Sequence, residues 1–83
     1  MLISFDTEAK ATYIEIKDAK VFRTEEFAPE VFLDFDEENN LVGIELLNPA
    51  KLELRRIAKE FHTPQLHKIP ARPIKNFYHS LTT

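Results

Sequence analysis

The side chains best suited to chemistry by type and spacing lie in one stretch, residues 34–45, "DFDEENNLVGIE". Five of its oxygen-bearing residues are Asp34, Asp36, Glu38, Asn40 and Glu45. They fall at positions 1, 3, 5, 7 and 12 of the loop with which an EF-hand binds calcium. However, the position that calls for glycine is Asn39, and both flanks show the alternation of strands. We therefore expect a solvated acidic hairpin tip, and we assign no metal and no other cofactor.

The sequence also gives no support for a histidine metal site or for a nucleophilic serine. The three histidines, His62, His67 and His79, are separated by 5 and 12 residues and by prolines, which is no standard zinc spacing. Ser4 and Ser80 lie outside any elbow motif. Without cysteine and with a single glycine, thiolate chemistry and glycine-rich phosphate loops are excluded. We therefore assign no catalytic residue and expect a protein that is not an enzyme.

A basic stripe is the stronger signal. Lys51, Arg55 and Lys59 recur at helical spacing with Arg56 beside them. Farther along, Phe77 and Tyr78 are aromatics of the kind that stack on bases. These residues predict a partner-binding surface. An acidic protein or a neighbouring subunit is favoured over nucleic acid, because the whole chain has a net charge of −3 and a pI near 5.6.

Charge is distributed unevenly along the chain. Residues 1–47 contain 4 Lys or Arg against 12 Asp or Glu, a net charge of −8. Residues 48–83 contain 7 against 2, a net charge of +5. Such a division either steers association or reflects two halves that complement each other within one fold.

Period-2 alternation in the first half predicts the elements that position these residues. The predicted strands are residues 2–5, 11–17, 21–27, 31–36 and 41–47. They predict an antiparallel meander of four to five strands. Asn48 as N-cap and Pro49 as first helical residue then introduce a helix over 49–61. Because its apolar stripe must be buried, we expect it to pack on one face of the sheet, giving an α+β fold.

The tail, residues 62–83, contains three prolines and does not simply continue the helix. Its spacing of Ile74, Phe77, Tyr78 and Leu81 allows a short second helix. We therefore divide the chain into a sheet-plus-helix domain, 1–61, and an extension, 62–83, that docks on the domain or exchanges between subunits.

The second face of the predicted sheet is too apolar for a solvated surface. The residues placed on it are Tyr13, Phe22, Phe32, Leu41, Gly43 and Leu47. Gly43 leaves a gap there, which one of the aromatics Tyr13, Phe22 or Phe32 is expected to cross. Apolar faces of this kind are usually interfaces. We expect a homodimer in which the tail takes part.

Two stretches resemble a known family. "FDTEAKATYI" (5–14) is similar to a YDPEADALYI pattern, and "DFDEENNLVGIELLNPAK" (34–51) to a D-x-D-x-x-G-x-x-V-G-I-E-I-L-x-A-S pattern. Both belong to the small prokaryotic proteins called domain of unknown function 2283, and the resemblance covers about residues 3–55. Thr7, Lys10 and Asn39 depart from the patterns. Asn39 or Asn40 is expected to take the left-handed turn conformation in place of glycine.

The resemblance implies a small α+β fold with no established activity. Because members often sit beside RelE-like or DUF4258-type proteins, it also implies an antitoxin-like partner role. The chain shows no signal peptide and no membrane-length apolar run, so we expect a cytoplasmic protein. The function predicted is a non-catalytic protein-interaction domain acting as a homodimer; the alternative is a nucleic-acid-binding or regulatory protein that uses the basic helix.

Overall fold

The structure of the chain is a computed structural model that describes residues 1–47 and 51–81, with side chains except at 51–53 and 71. The chain divides into two compact units, Met1–Asn48 and Pro49–Thr83. The first contains the strands β1 (Leu2–Asp6), β2 (Ala11–Glu15), β3 (Arg23–Ala28), β4 (Val31–Phe35) and β5 (Leu41–Leu46). The second contains α1 (Lys51–Glu60), a 3₁₀ turn (Pro64–Lys68) and α2 (Ala71–Leu81). The domain division predicted after residue 61 remains a prediction.

The α+β class and the five-stranded antiparallel sheet are confirmed, but the strand order is not that of a full meander. The order is β1-β2-β5-β4-β3, so β5 lies between β2 and β4. A full meander would have placed β3 beside β2. The physical reason is burial: β5 is the most completely buried strand and takes the centre, whereas β3 carries Arg23, Glu25 and Glu26 and lies at an edge.

Three tight turns are held by residues in the left-handed conformation. Lys10 (φ 55°), Glu30 (φ 65°) and Asn39 (φ 70°) lie in the β1–β2, β3–β4 and β4–β5 connections. The prediction that an asparagine replaces glycine in the β4–β5 turn is confirmed for Asn39. Asparagine tolerates this conformation better than most residues because its short polar side chain bonds locally.

In the three central strands, β2, β5 and β4, one face is buried. The buried residues that share this face by register are Thr12, Ile14, Val31, Leu33, Ile44 and Leu46. A register shift between Asp34 and Phe35 interrupts the pairing of β4 with β5. At such a bulge two consecutive residues oppose one. Leu41 and Val42 are accordingly both buried, whereas strict alternation would have put Leu41 on the opposite face.

In the second unit, the described part of the predicted helix is confirmed. Leu54, Ile57 and Ala58 are buried along one stripe of α1. Two residues after the helix ends, His62 is left-handed (φ 53°), and the following Thr63 N–H donates to the Ala58 carbonyl at 3.0 Å. The predicted cap, Asn48 and Pro49, lies outside the described residues, and the predicted packing of this helix on the sheet remains a prediction.

The short second helix allowed by the tail is present as α2, and its Ile74 is buried. Periodicity did not indicate the 3₁₀ turn at Pro64–Lys68, in which Leu66 is buried. Among the described residues, neither helix has the length and apolar character that crossing a membrane requires.

Candidate functional site

On the face of the sheet opposite the core, two cross-strand rows span all five strands. One row is Ser4, Tyr13, Glu45, Phe32 and Glu26. The other is Leu2, Glu15, Gly43, Asp34 and Thr24. We call these ten residues the Tyr13 face. Its five central side chains are half-buried, namely Tyr13, Glu15, Phe32, Asp34 and Glu45.

Gly43 makes room for the Tyr13 ring at the middle of this face. A Cβ atom added at Gly43 would lie 2.9 Å from Cε2 of Tyr13 and closer still to its Cζ and hydroxyl. The phenol therefore crosses directly over the glycine. Gly43 has no left-handed backbone conformation, so steric room rather than backbone freedom explains this residue. The expectation that an aromatic crosses the gap is confirmed, and the aromatic is Tyr13.

Crossing β5 brings the Tyr13 hydroxyl to a carboxylate on β4. The hydroxyl donates to Oδ2 of Asp34 at 2.8 Å, and the Thr24 hydroxyl donates to Oδ1 of the same carboxylate at 2.5 Å. One carboxylate thereby joins side chains of β2 and β3 across four strands of the sheet. Because both oxygens accept a hydroxyl, this constellation favours a structural link over acid–base chemistry.

The electrostatics around Tyr13 are those of a phenol held neutral. Burial raises the pKa of Tyr13 well above its ordinary value. The bond to Asp34 and the negative charges of Asp34, Glu15 and Glu45 raise this pKa further, because each disfavours a phenolate. The Tyr13 face as a whole carries four carboxylates, with Glu26, and its ten positions include no Lys, Arg or His. It is thus an acidic surface whose centre combines two aromatic side chains with three carboxylates.

The structure brings together only part of the predicted interface. Tyr13, Phe32 and Gly43 lie on the Tyr13 face. Phe22 is 64% exposed but precedes β3, and Leu47 is 36% exposed and follows β5. Leu41 is only 8% exposed, because the bulge turns it inward. The continuous apolar face expected from alternation is therefore replaced by a smaller aromatic centre within an acidic surface.

The residues of the calcium-like pattern lie in different places. Asp34 and Glu45 belong to the Tyr13 face, whereas Asp36 holds the β4–β5 turn. Oδ1 of Asp36 accepts the backbone N–H groups of Glu38 and Asn40, each at 2.9 Å. Oδ2 accepts the Asn40 amide at 3.3 Å and pairs with Lys17 Nζ at 3.0 Å. Within residues 1–47 and 51–81, no three His, Cys, Asp or Glu side chains are grouped for a metal ion.

These bonds lower the pKa of Asp36 to about 2, the backbone N–H of Asn40 contributing most and Lys17 next. Since the folded value lies below the ordinary 3.8, the stabilisation is complete above about pH 4 and is lost as the pH falls towards 2. We expect the urea midpoint of the wild type to fall over that interval. In Asp36→Asn, which cannot ionise, the fall should be shallower. An equally steep fall of the urea midpoint with pH in the two proteins would contradict this role of Asp36.

The predicted partner-binding residues all belong to the second unit. Arg55, Arg56 and Lys59 are exposed on α1, and the Lys51 side chain lies outside the described part. Phe77 and Tyr78 are half-buried on α2, with ring centroids 5.0 Å apart and nearly perpendicular planes. Edge-to-face aromatic pairs are common packing contacts. Binding of nucleic acid or protein by these residues stays a prediction.

A shallow, open depression of about 600 Å³ lies beside the β4–β5 turn. It is lined mainly by the connection from β2 to β3, including Lys17, Lys20 and Phe22, and by acidic residues of the turn. The Lys17–Asp36 ion pair lies at its wall.

Sequence reasoning missed the role of Asp34, Thr24, Glu15 and Glu45 in this site. Spacing places Asp34 and Glu45 in a calcium-like pattern and does not indicate a bond between Asp34 and Tyr13. The signal available was a period-2 series of acids on three predicted strands, always on the side opposite the core. Joining that series into one surface requires the strand order β2-β5-β4, which puts Gly43 between Tyr13 and Asp34.

Comparison with curated proteins and with solved structures found no match. Comparison with protein families found one, described as a protein of unknown function (DUF2283), over residues 2–48. The matched segment contains all five strands and every residue of the Tyr13 face. The match covers more than half of the chain, and the chain therefore belongs to the DUF2283 family of proteins of unknown function.

Proposed function

We propose that the protein is a non-catalytic interaction domain whose Tyr13 face docks against a basic surface of another protein. The observation that carries this proposal is the composition of that face: four carboxylates, no cation and two half-buried aromatics. A small toxin-like protein, the partner that the family resemblance implies, would fit if its contact surface is basic.

Charge supports a basic partner. Carboxylates gathered on one face produce a negative potential that accelerates association with a positive surface and disfavours acidic partners. The same potential repels nucleic acid, because phosphate groups are attracted by Lys and Arg and not by carboxylates. A protein partner therefore fits this face better than DNA or RNA.

The aromatic centre supports docking rather than simple solvation. Tyr13 is fixed by its bond to Asp34. Phe32 lies on β4 directly opposite Glu45 of β5. Interfaces are enriched in such aromatics at their core and surround them with polar groups. A side chain that is already ordered also loses little conformational entropy when a partner binds.

The lack of catalytic function belongs to the same proposal. The most perturbed group on the face, Tyr13, has its pKa raised, so that it is neutral and donates to a carboxylate. A phenol that acts as a general base or nucleophile needs the opposite shift. The geometry thus supports a fixed recognition surface.

The test removes charge from the face without changing its shape. Glu15→Gln combined with Glu45→Gln should abolish retention of a basic protein from an extract of the native host by the immobilised full-length chain. Retention by the wild type should also weaken as salt concentration rises, because exposed charges are screened. Mass spectrometry identifies the retained proteins.

The matched control is Glu37→Gln combined with Glu38→Gln, which removes two charges from exposed positions at the β4–β5 turn. Retention by this control should equal that by the wild type. If the Glu15 and Glu45 variant retains the same proteins as the control, the Tyr13 face is not the docking surface.

A further inference from the structure

Strand β1 lies at one edge of the sheet and pairs only with β2 among the described residues. An edge strand offers main-chain groups to any extended segment that approaches it. Natural proteins protect such edges with charged side chains, proline or bulges. The two edges of this sheet differ in that respect.

The edge formed by β3 carries this protection. Arg23, Glu25 and Glu26 place charges along it, and its register shifts between Glu26 and Ala28. Pro29 follows directly. Each of these features disfavours the addition of another strand.

The edge formed by β1 has almost no protection against the addition of a strand. From Leu2 to Phe5 the strand has no charge, no proline and no bulge, and its single charge, Asp6, is at the end. Leu2 is 67% exposed, an unusual setting for a leucine in an ordered strand. An apolar, uncharged edge of this kind is typical of a surface that is covered by a further strand.

We propose that β1 pairs antiparallel with β1 of a second copy, joining two five-stranded sheets into one of ten strands. With full overlap of the two strands, a two-fold axis sets Ser4 of one copy opposite Ser4 of the other. The two Asp6 residues then lie at opposite ends of the pair, so no like charges meet. Ile3 of each copy then lies opposite Phe5 of the other, an apolar pair on both sides of the axis, and that favours a second copy over a foreign strand.

This pairing also defines the geometry of the dimer. A two-fold axis perpendicular to the sheet leaves the same face of both copies on the same side. The dimer would therefore present two Tyr13 faces side by side. The proposed pairing depends only on the β1 edge. An experiment that rejects the basic partner would therefore leave the pairing untouched, and the reverse also holds.

A lysine at the centre of β1 tests the pairing in the full-length chain. Ser4→Lys places two like charges opposite each other and should raise the dimer dissociation constant about fivefold or more. Ser4 is exposed and belongs to the acidic Tyr13 face, so the monomer should fold normally. Ser4→Thr should dimerise like the wild type. Sedimentation equilibrium over a concentration series measures both.

A cysteine at the same position tests the register, since the chain has no cysteine of its own. Opposed residues of an antiparallel pair lie within the Cα separation that a disulfide spans. Oxidised Ser4→Cys should therefore yield a covalent species of twice the 9.7 kDa chain mass, whereas Glu26→Cys on the β3 edge should not. A monomeric wild type, a dimer unaffected by Ser4→Lys, or equal cross-linking from Glu26→Cys would each overturn the proposal.

Discussion

Gly43→Ala is expected to lower the free energy of unfolding by about 1–2 kcal/mol. The added Cβ would occupy the space of the Tyr13 ring, 2.9 Å from Cε2 and nearer to the other ring atoms, so the ring must swing away. Its hydroxyl then loses Asp34, a hydrogen bond to a charged group worth about 1.5–3 kcal/mol. The better strand propensity of alanine offsets about 0.5–1 kcal/mol of that loss.

The same substitution should behave differently once the ring is absent. In a Tyr13→Ala background no side chain crosses the strand, and Gly43→Ala should be neutral or stabilising by up to about 1 kcal/mol. Urea unfolding of the wild type, the two single variants and the double variant gives the coupling between the sites. A coupling near zero would show that Gly43 does not serve to accommodate Tyr13.

Asp34→Ala is expected to lower the free energy of unfolding by about 1–3 kcal/mol, because it removes the acceptor shared by two hydroxyls. Tyr13 is half-buried, and its hydroxyl would be left without this partner. Relief of repulsion from Glu15 and Glu45 should place the loss towards the lower end of the range. Asp34→Asn keeps a carbonyl oxygen as acceptor, and its loss should be smaller, below about 1 kcal/mol.

Phenolate titration supplies an independent readout of this link. The chain has two tyrosines, so Tyr78→Phe serves as the background in which Tyr13 alone is observed. In Asp34→Ala the pKa of Tyr13 should fall from its raised value, though burial keeps it above the ordinary one. An unchanged pKa together with unchanged stability would contradict the bond between Tyr13 and Asp34.

Much of the fold could be predicted from the sequence because the local signals agree with one another. Alternation located all five strands to within a few residues, and the change of period located α1 and α2. Asn39 was predictable as a turn residue because few residues other than glycine tolerate a positive φ. Each of these inferences uses only neighbours in sequence.

The features that were predicted wrongly, the strand order and the face of Leu41, depend on pairing between distant segments. Strand order cannot be deduced from alternation, and only the insertion of β5 beside β2 sets Gly43 under Tyr13. The bulge at Asp34 and Phe35 likewise depends on the register between β4 and β5, and it moves Leu41 into the core. One extra residue in a strand is enough to reverse the face of a side chain.

The central claim is that the Tyr13 face contacts a basic protein, and photo-cross-linking tests it most directly. A benzoylphenylalanine at Phe32, in the centre of the face, should cross-link a basic protein in cells of the native host. The same probe at Phe22, which is more exposed but outside the face, should not. The Phe32 cross-link should disappear in the Glu15→Gln and Glu45→Gln background. Cross-linking only from Phe22, or cross-linking from Phe32 that survives loss of both charges, would contradict the account.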